Sequence, residues 1–306
     1  MRILVVGAGA VGGYFGARLV QAGRDVDFLV RPARADLLRE HGLRIRDLDG
    51  TVEAVPVTAV TADTLTPDYD LVVLAVKSYG FDAALKDIAP AVGPGTVVLP
   101  FLNGMRHMDA LTDRFGADRV YGGVAMVQTR LGEDGEIIEV GKMAQLIYGP
   151  VTGTPVLPPE RVHAALDTGT YSATAATEAV QELWDKWVFL ATMGACNCLM
   201  RAPIGQINST EGGRGFSRAV FEEAAAVSTA SGYPIRPHVR ERADAMLGNT
   251  TAQTTTSLYW DLTNDNPVEA DHIIGDLVAR GRDLGVPTPL FALADLHLRV
   301  YETGRA

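Results

Sequence analysis

Near its amino end the chain carries six residues whose types and spacing suit the holding of a phosphate. Gly7-Ala8-Gly9-Ala10-Val11-Gly12 follows the apolar run Ile3-Leu4-Val5-Val6 and leads into Tyr14-Phe15-Gly16-Ala17-Arg18-Leu19-Val20, a helix-forming stretch. A G-x-G-x-x-G spacing between strand and helix is the pattern of a dinucleotide-binding turn. Gly7 permits the tight turn, Gly9 leaves its backbone open to a pyrophosphate, and Gly12 lets the helix lie close on the sheet. The free N–H groups of the first helical turn, around Ala10 and Val11, then face the phosphates.

The next candidates select among dinucleotides. A site for the unphosphorylated ribose usually places an acid at the end of the second strand. Here Phe28-Leu29-Val30 ends in Arg31, with Arg34 one turn on. A guanidinium can grip a 2′-phosphate through forked N–H donors, so the expected cofactor is NADP(H); the same arginine would also serve as an ordinary strand-end cap. Lys77 and Ser78 close the apolar run Leu71-Val72-Val73-Leu74-Ala75-Val76, at the sheet edge where open α/β folds bind ligands. Lys77 therefore borders a cofactor or a substrate carboxylate, or is a solvated strand-end lysine.

Three later residues have side chains suited to carbonyl chemistry. Asn103-Gly104 follows the strand-like run 96–102, Lys186 sits in Glu182-Leu183-Trp184-Asp185-Lys186-Trp187, and Glu269 follows Pro267-Val268. Each also has an ordinary role: Asn-Gly is a common turn pair, Glu182 and Lys186 have the spacing of a helical ion pair, and Glu269 suits a first helical turn. The six histidines (positions 41, 107, 163, 238, 272 and 297) lack the close pairs of a zinc site, so no metal is expected.

These residues need elements to position them. Strand-like runs at 25–30, 70–76 and 96–101 alternate with helical stretches, and further strands are expected at 120–127, 136–140 and 145–148. The stretch 43–60 holds a Leu-Asp-Gly-Thr turn between β-rich pieces and predicts a hairpin. Alternation of this kind implies a doubly wound α/β sheet of Rossmann type. Beyond about residue 178 the pattern is helical, at 181–201, 214–231, 237–247, 269–284 and 290–302, with Gly232-Tyr233-Pro234 and Gly285-Val286-Pro287 as stops. The expected organisation is a cofactor-binding domain over 1–177 and an all-helical substrate and catalytic domain over 178–306.

Composition bounds the partners. With 306 residues, 47% apolar, 21% charged and a net charge of −10, the chain fits a soluble protein and argues against nucleic acid or an anionic membrane as partner. The apolar run 188–200 is too short to cross a bilayer, and strand-like sequence from the first residues leaves no room for a targeting peptide. A cytoplasmic protein is expected, and a homodimer is left open. Cys196 and Cys198 read as small buried residues.

In order and spacing, the glycine motif, Asn103-Gly104-Met105, Trp184-x-Lys186, and Ser257…Asp261…Glu269 resemble the ketopantoate reductase (2-dehydropantoate 2-reductase) family over essentially the whole chain. The resemblance implies NADPH-dependent reduction of a 2-keto acid to a 2-hydroxy acid, the family's step in pantothenate biosynthesis. It implies Lys186 as general acid, Glu269 holding a substrate hydroxyl and the lysine, Asn103 contacting Lys186 and the nicotinamide region, and Ser257 on the substrate carboxylate. Arg31 and Lys77 match positions that the family uses around NADPH.

One departure stands out. The family helix carries asparagines four and eight residues after the lysine as substrate contacts, and here those positions are Leu190 and Gly194. Asn197 lies about 16 Å along the helix from Lys186, at ~1.5 Å per residue, too far to replace them. The substrate is therefore ketopantoate in a modified pocket or a more apolar 2-keto acid. The alternatives are an opine- or β-hydroxyacid-type NADP dehydrogenase and a non-catalytic NADPH-binding protein. Ser257…Glu269 favours the reductase over the former; Lys186, Asn103 and Glu269 together weigh against the latter.

Overall fold

The computed structural model describes residues 1–305, which divide into two compact units: Met1–Leu102 with His107–Glu182, and Asn103–Arg106 with the chain from Leu183 onward. The strands are β1 (Arg2–Val6), β2 (Asp25–Leu29), β3 (Leu43–Arg46), β4 (Val52–Val55), β5 (Thr58–Val60), β6 (Leu71–Leu74), β7 (Val97–Pro100), β8 (Tyr121–Leu131), β9 (Ile137–Pro150) and β10 (Ser172–Ala175). The helices are α1 (Ala10–Gln21), α2 (Pro32–His41), α3 (Phe81–Asp87), α4 (Arg106–Phe115), α5 (Pro159–Leu166), α6 (Ala179–Met200), α7 (Ile204–Ser209), α8 (Gly213–Ala230), α9 (Pro237–Gly248), α10 (Ser257–Thr263), α11 (Asp276–Asp283) and α12 (Pro289–Arg305). The expected α/β architecture with a helical carboxyl-terminal region is what the chain forms. The division falls inside α6, between Glu182 and Leu183, and assigns the short segment Asn103–Arg106 to the second unit.

In the first unit a parallel sheet runs in the order β5-β2-β1-β6-β7. β6 and β7 are buried throughout, as strands covered on both faces must be. β1 lies between β2 and β6, with Val5 opposite Phe28 on one side and Val73 on the other. Chain order reverses at β1/β6, so the turn after β1 emerges at the topological switch point, where ligands of open α/β sheets bind. The expected hairpin is present as β3 and β4, which pair antiparallel from Leu43↔Val55 to Arg46↔Val52.

A second sheet, β10-β9-β3-β4 with β8 on β9, was not anticipated. The two strands expected at 136–140 and 145–148 are one strand, β9, paired antiparallel with β8 across a register shift between Val127 and Thr129. Gly141 reads as a break in sequence. In the fold it makes room for the side chain of Gln128, whose Oε1 accepts from the Met143 N–H at 3.2 Å, so a bulge accommodates the irregularity without ending the strand.

The second unit is helical. α6 is its longest helix, and Trp184, Trp187, Val188, Ala191, Cys196 and Cys198 on it are all buried. Burial pushes both thiols up to about 12, the behaviour of packed rather than reactive cysteines. Glu223 of α8 accepts from the backbone N–H groups of Leu290 and Phe291 and so caps the start of α12. The helix expected at 269–284 is two elements: a π turn over Asp271–Gly275, then α11. Two short helices, α7 and α10, escaped the sequence reading because six or seven residues are too few to display a period. Among the described residues no helix is long and apolar enough to cross a membrane, and no cluster of His, Cys, Asp or Glu could hold a metal ion.

The glycine turn gives the fold its first testable consequence. A Cβ at Gly12 would press into the Gly7 carbonyl oxygen and lie 2.6 Å from the Ala75 Cβ, so α1 could not keep its present distance from the turn. Gly12→Ala is expected to cost about 1–3 kcal/mol, the usual range for overpacking, read as a lower urea midpoint. An unchanged midpoint would show that turn and helix separate freely.

Candidate active site

The first unit builds a cradle from its glycines. Gly7 takes φ +98°, and a Cβ there would meet the Ala75 carbonyl oxygen at 3.0 Å. Gly7 and Gly12 are thus packed against the end of β6, whereas a Cβ at Gly9 would meet nothing within 4 Å. Space stands open at the middle glycine alone, where a pyrophosphate would approach. Gly9 caps α1 with no side-chain acceptor, and no acid lies in the first turn. The amides at Ala10 and Val11 therefore begin an uncapped helix with its partial positive charge intact. These residues fit a dinucleotide's pyrophosphate.

The arginines at the end of β2 divide their work. Arg31 is exposed and precedes Pro32 at the start of α2. Arg34 is half-buried, and its guanidinium donates to the carbonyls of Ala8, at 3.2 Å, and Gly135, at 2.7 Å. It ties the glycine turn to the β8–β9 turn, a role that the sequence did not disclose because position 135 lies far along the chain. Thr129 adds a second tie, its hydroxyl donating to the Ala10 carbonyl at 2.9 Å. Arg31 is left as the exposed guanidinium beyond β2. Lys77 is exposed beyond β6 and precedes the short turn Ser78–Gly80.

The second unit brings Lys186, Glu269 and Asn103 to one region around the π turn. Lys186, on α6, keeps part of its surface open, yet the protein around its amine pushes its pKa down from 10.5 to about 8. Burial is the larger cause, and the Glu269 carboxylate opposes it. Glu269 is itself buried, two residues ahead of the π turn. Asn103 is half-buried and precedes Gly104, which takes φ +86°. A Cβ at Gly104 would strike the His272 carbonyl of the π turn, so Asn103 is carried on a turn seated directly against that element. The His272 imidazole is pushed down by burial first and by Arg106 second, while Glu269 opposes. The arrangement offers a cationic donor of depressed pKa beside a fixed carboxylate, suited to protonating an oxygen as charge develops on it.

Ser257 is exposed at the first position of α10, after Thr256, whose hydroxyl accepts from the Tyr259 N–H at 3.3 Å. Leu190 is half-buried one turn beyond Lys186 on α6. Gly194 is buried, and a Cβ there would lie 3.2 Å from Leu258 Cδ2 and 3.9 Å from Thr256 Oγ1. It faces the start of α10 at close packing distance.

Comparison with known proteins identifies the chain's family. Residues 3–153 match the model of ketopantoate reductase PanE/ApbA, and residues 178–300 match that family's C-terminal model. The chain is 30% identical over 307 residues to the uncharacterized oxidoreductase YkpB of Bacillus subtilis, with 99% of each chain covered. It is 29% identical to a 2-dehydropantoate 2-reductase of Mesorhizobium japonicum, with 94% of each covered.

The chain belongs to the ketopantoate reductase family.

Its fold is that of a PanE/ApbA family ketopantoate reductase from Ralstonia eutropha, with a TM-score of 0.87 at 26% identity, covering 100% of this chain and 99% of the other. The protein is accordingly an oxidoreductase acting on CH–OH or carbonyl groups. Asn197 takes a structural place on α6. It is fully buried, and its amide donates to the Ala202 carbonyl at 2.9 Å, closing the end of α6.

The Lys186–Glu269 interaction carries a sign that can be measured. The lysine's folded value, about 8, lies below its ordinary 10.5, so between those values the unfolded chain binds the proton more readily. The charged amine therefore penalises folding most fully below pH 8, and the penalty fades as pH rises toward 10.5. Glu269→Gln removes the charge that favours the proton and is expected to lower the Lys186 titration midpoint further. NMR titration of isotopically labelled lysine reads this directly; an unmoved midpoint would show that the carboxylate does not act on the amine.

Proposed function

We propose that this protein reduces a 2-keto acid to the 2-hydroxy acid with NADPH, with the first unit holding the dinucleotide and the second supplying the acid. The observation that supports this reading best is the Lys186 amine held near pH 8 by burial against the Glu269 charge. A donor for a carbonyl oxygen works best when its pKa lies near the working pH. A bound reduced nicotinamide supplies the hydride for the carbonyl carbon. Lys186 Nζ hydrogen-bonds the carbonyl oxygen and passes it a proton as negative charge builds there, leaving a hydroxyl on the product and a neutral amine that solvent recharges. Glu269 keeps the amine protonated beforehand and accepts from a substrate hydroxyl where one is present. Asn103 orients the amine, and Ser257 donates to the substrate carboxylate.

Cofactor choice rests on Arg31. The end of β2 offers an exposed guanidinium and no acid, a pairing that favours a 2′-phosphate. Arg31→Ala is expected to weaken NADPH about 10–100-fold, the loss of one or two charge-assisted hydrogen bonds, and to leave NADH unchanged. Equal loss for both dinucleotides would sink the assignment.

The substrate class follows from Leu190. An apolar side chain one turn beyond the acid suits a 2-keto acid with an apolar side group better than one whose hydroxyl needs a partner, since an unpaired polar group is costly to bury. NADPH oxidation across a panel of 2-keto acids, 2-dehydropantoate included, is expected to be fastest for branched apolar acids. Leu190→Asn should shift kcat/KM toward 2-dehydropantoate by about 10-fold or more. Lys186→Ala should lower kcat about 10²–10⁴-fold on every substrate; full activity in that variant would end the proposal.

A further inference from the structure

We infer that the π turn Asp271–Gly275 is the positioning element of the acid site, and that Trp187 is the positioning residue that locks it. The inference rests on the assignment of Lys186 as acid. It is carried by three contacts that converge on one five-residue turn. From α6, the Trp187 indole N–H donates to the Ile273 carbonyl at 2.9 Å, and Trp187 is 1% exposed. From the segment after β7, Gly104 sits so close to the His272 carbonyl that no side chain could stand between them. From α12, Arg299 forms an ion pair with Asp271 at 2.9 Å and donates to Asp295 at 2.8 Å.

The sequence neighbours of these contacts give them their meaning. Trp187 follows Lys186, Gly104 follows Asn103, and the Ile273 N–H donates at 3.2 Å to the carbonyl of Glu269. Lys186 is therefore tied to the turn through its neighbour's side chain, Asn103 through its neighbour's backbone and Glu269 through its own carbonyl. A π turn carries one residue more per turn than an α-helix, and such insertions cluster at functional sites. Here the wider turn presents two successive carbonyls, His272 and Ile273, to two separate segments. The acid and its carboxylate consequently share one reference, and a shift of that turn changes the Lys186–Glu269 spacing.

Trp187→Phe tests this, because it keeps an aromatic ring in place and deletes the N–H. With the best 2-keto acid of the panel, kcat is expected to fall about 10–100-fold, the scale of a roughly 1 Å misplacement. The KM for NADPH should hold. The high-pH limb of kcat should move to lower pH, because a displaced carboxylate supports the amine's proton less. Trp260→Phe is the control: that ring is 45% exposed on α10 and should leave the limb unmoved. Gly104→Ala, which pushes on the same turn from the other side, should reproduce the Trp187→Phe signature and serves if that variant does not fold. Wild-type kcat and an unmoved limb in Trp187→Phe, with Lys186→Ala inactive, would overturn the inference alone. An active Lys186→Ala would overturn the acid assignment and the inference with it.

Discussion

A lysine amine enclosed by protein keeps its proton only when a fixed negative charge stands beside it. In the second unit that charge is Glu269, and burial still wins: the amine settles at about 8 instead of 10.5. At 1.36 kcal/mol per pH unit the difference corresponds to about 3 kcal/mol held against the charged form. A side chain at that balance gives up its proton readily near neutral pH and regains it readily. The same balance requires the carboxylate to stay where it is, and Glu269 is buried and precedes a turn anchored from three directions. The anchoring residues Trp187, Gly104 and Arg299 have no chemistry of their own to offer, and their value lies in holding the turn still.

The first unit solves a different problem with the opposite device. A pyrophosphate needs amide groups exposed at a helix start, and a helix start exposes them only if nothing else caps it. Gly7 and Gly12 close the turn upon itself and upon Ala75, while Gly9 stays open. The turn is held from behind by Arg34 on the Ala8 carbonyl and by Thr129 on the Ala10 carbonyl, both contacts being made to carbonyls and leaving the amides clear. The second sheet thus has a function in the cradle as well as in the core: its β8–β9 turn supplies the Gly135 carbonyl that holds Arg34 in place.

Much of this was legible in the sequence wherever the signal is local. The strand–glycine–helix start, the apolar runs of β6 and β7, and the long helices α6, α8 and α12 follow from patterns that span fewer residues than the elements themselves. What stayed hidden depends on partners distant in sequence. β9 looked like two strands because the partner of Gly141 is Gln128 on another strand. The π turn looked like plain helix because apolar spacing does not register one inserted residue. Trp187 is core packing, and its indole hydrogen bond to position 273 leaves no trace in composition or period. Lys186, Asn103 and Glu269 each had an ordinary explanation when taken singly, and only their gathering around one turn gives them joint meaning.

Gly194 shows how a missing side chain can be structural and still bear on selectivity. Leu258 and Thr256 at the start of α10 occupy the space toward which a Cβ at 194 would point. A Cβ there would need the Leu258 side chain to give by a few tenths of an ångström, and a longer side chain would press further on the start of α10, the helix that begins with Ser257. A polar group at 194 has therefore to be accommodated by the Leu258 side chain. Leu190 is half-buried one turn beyond Lys186 and already carries a side chain close in size to an asparagine. Of the two positions where the resemblance implies asparagines, 190 needs no added volume, and 194 needs its neighbour Leu258 to yield. On the proposed reading, substrate preference is adjusted most readily at 190, which also lies nearer to Lys186 along α6.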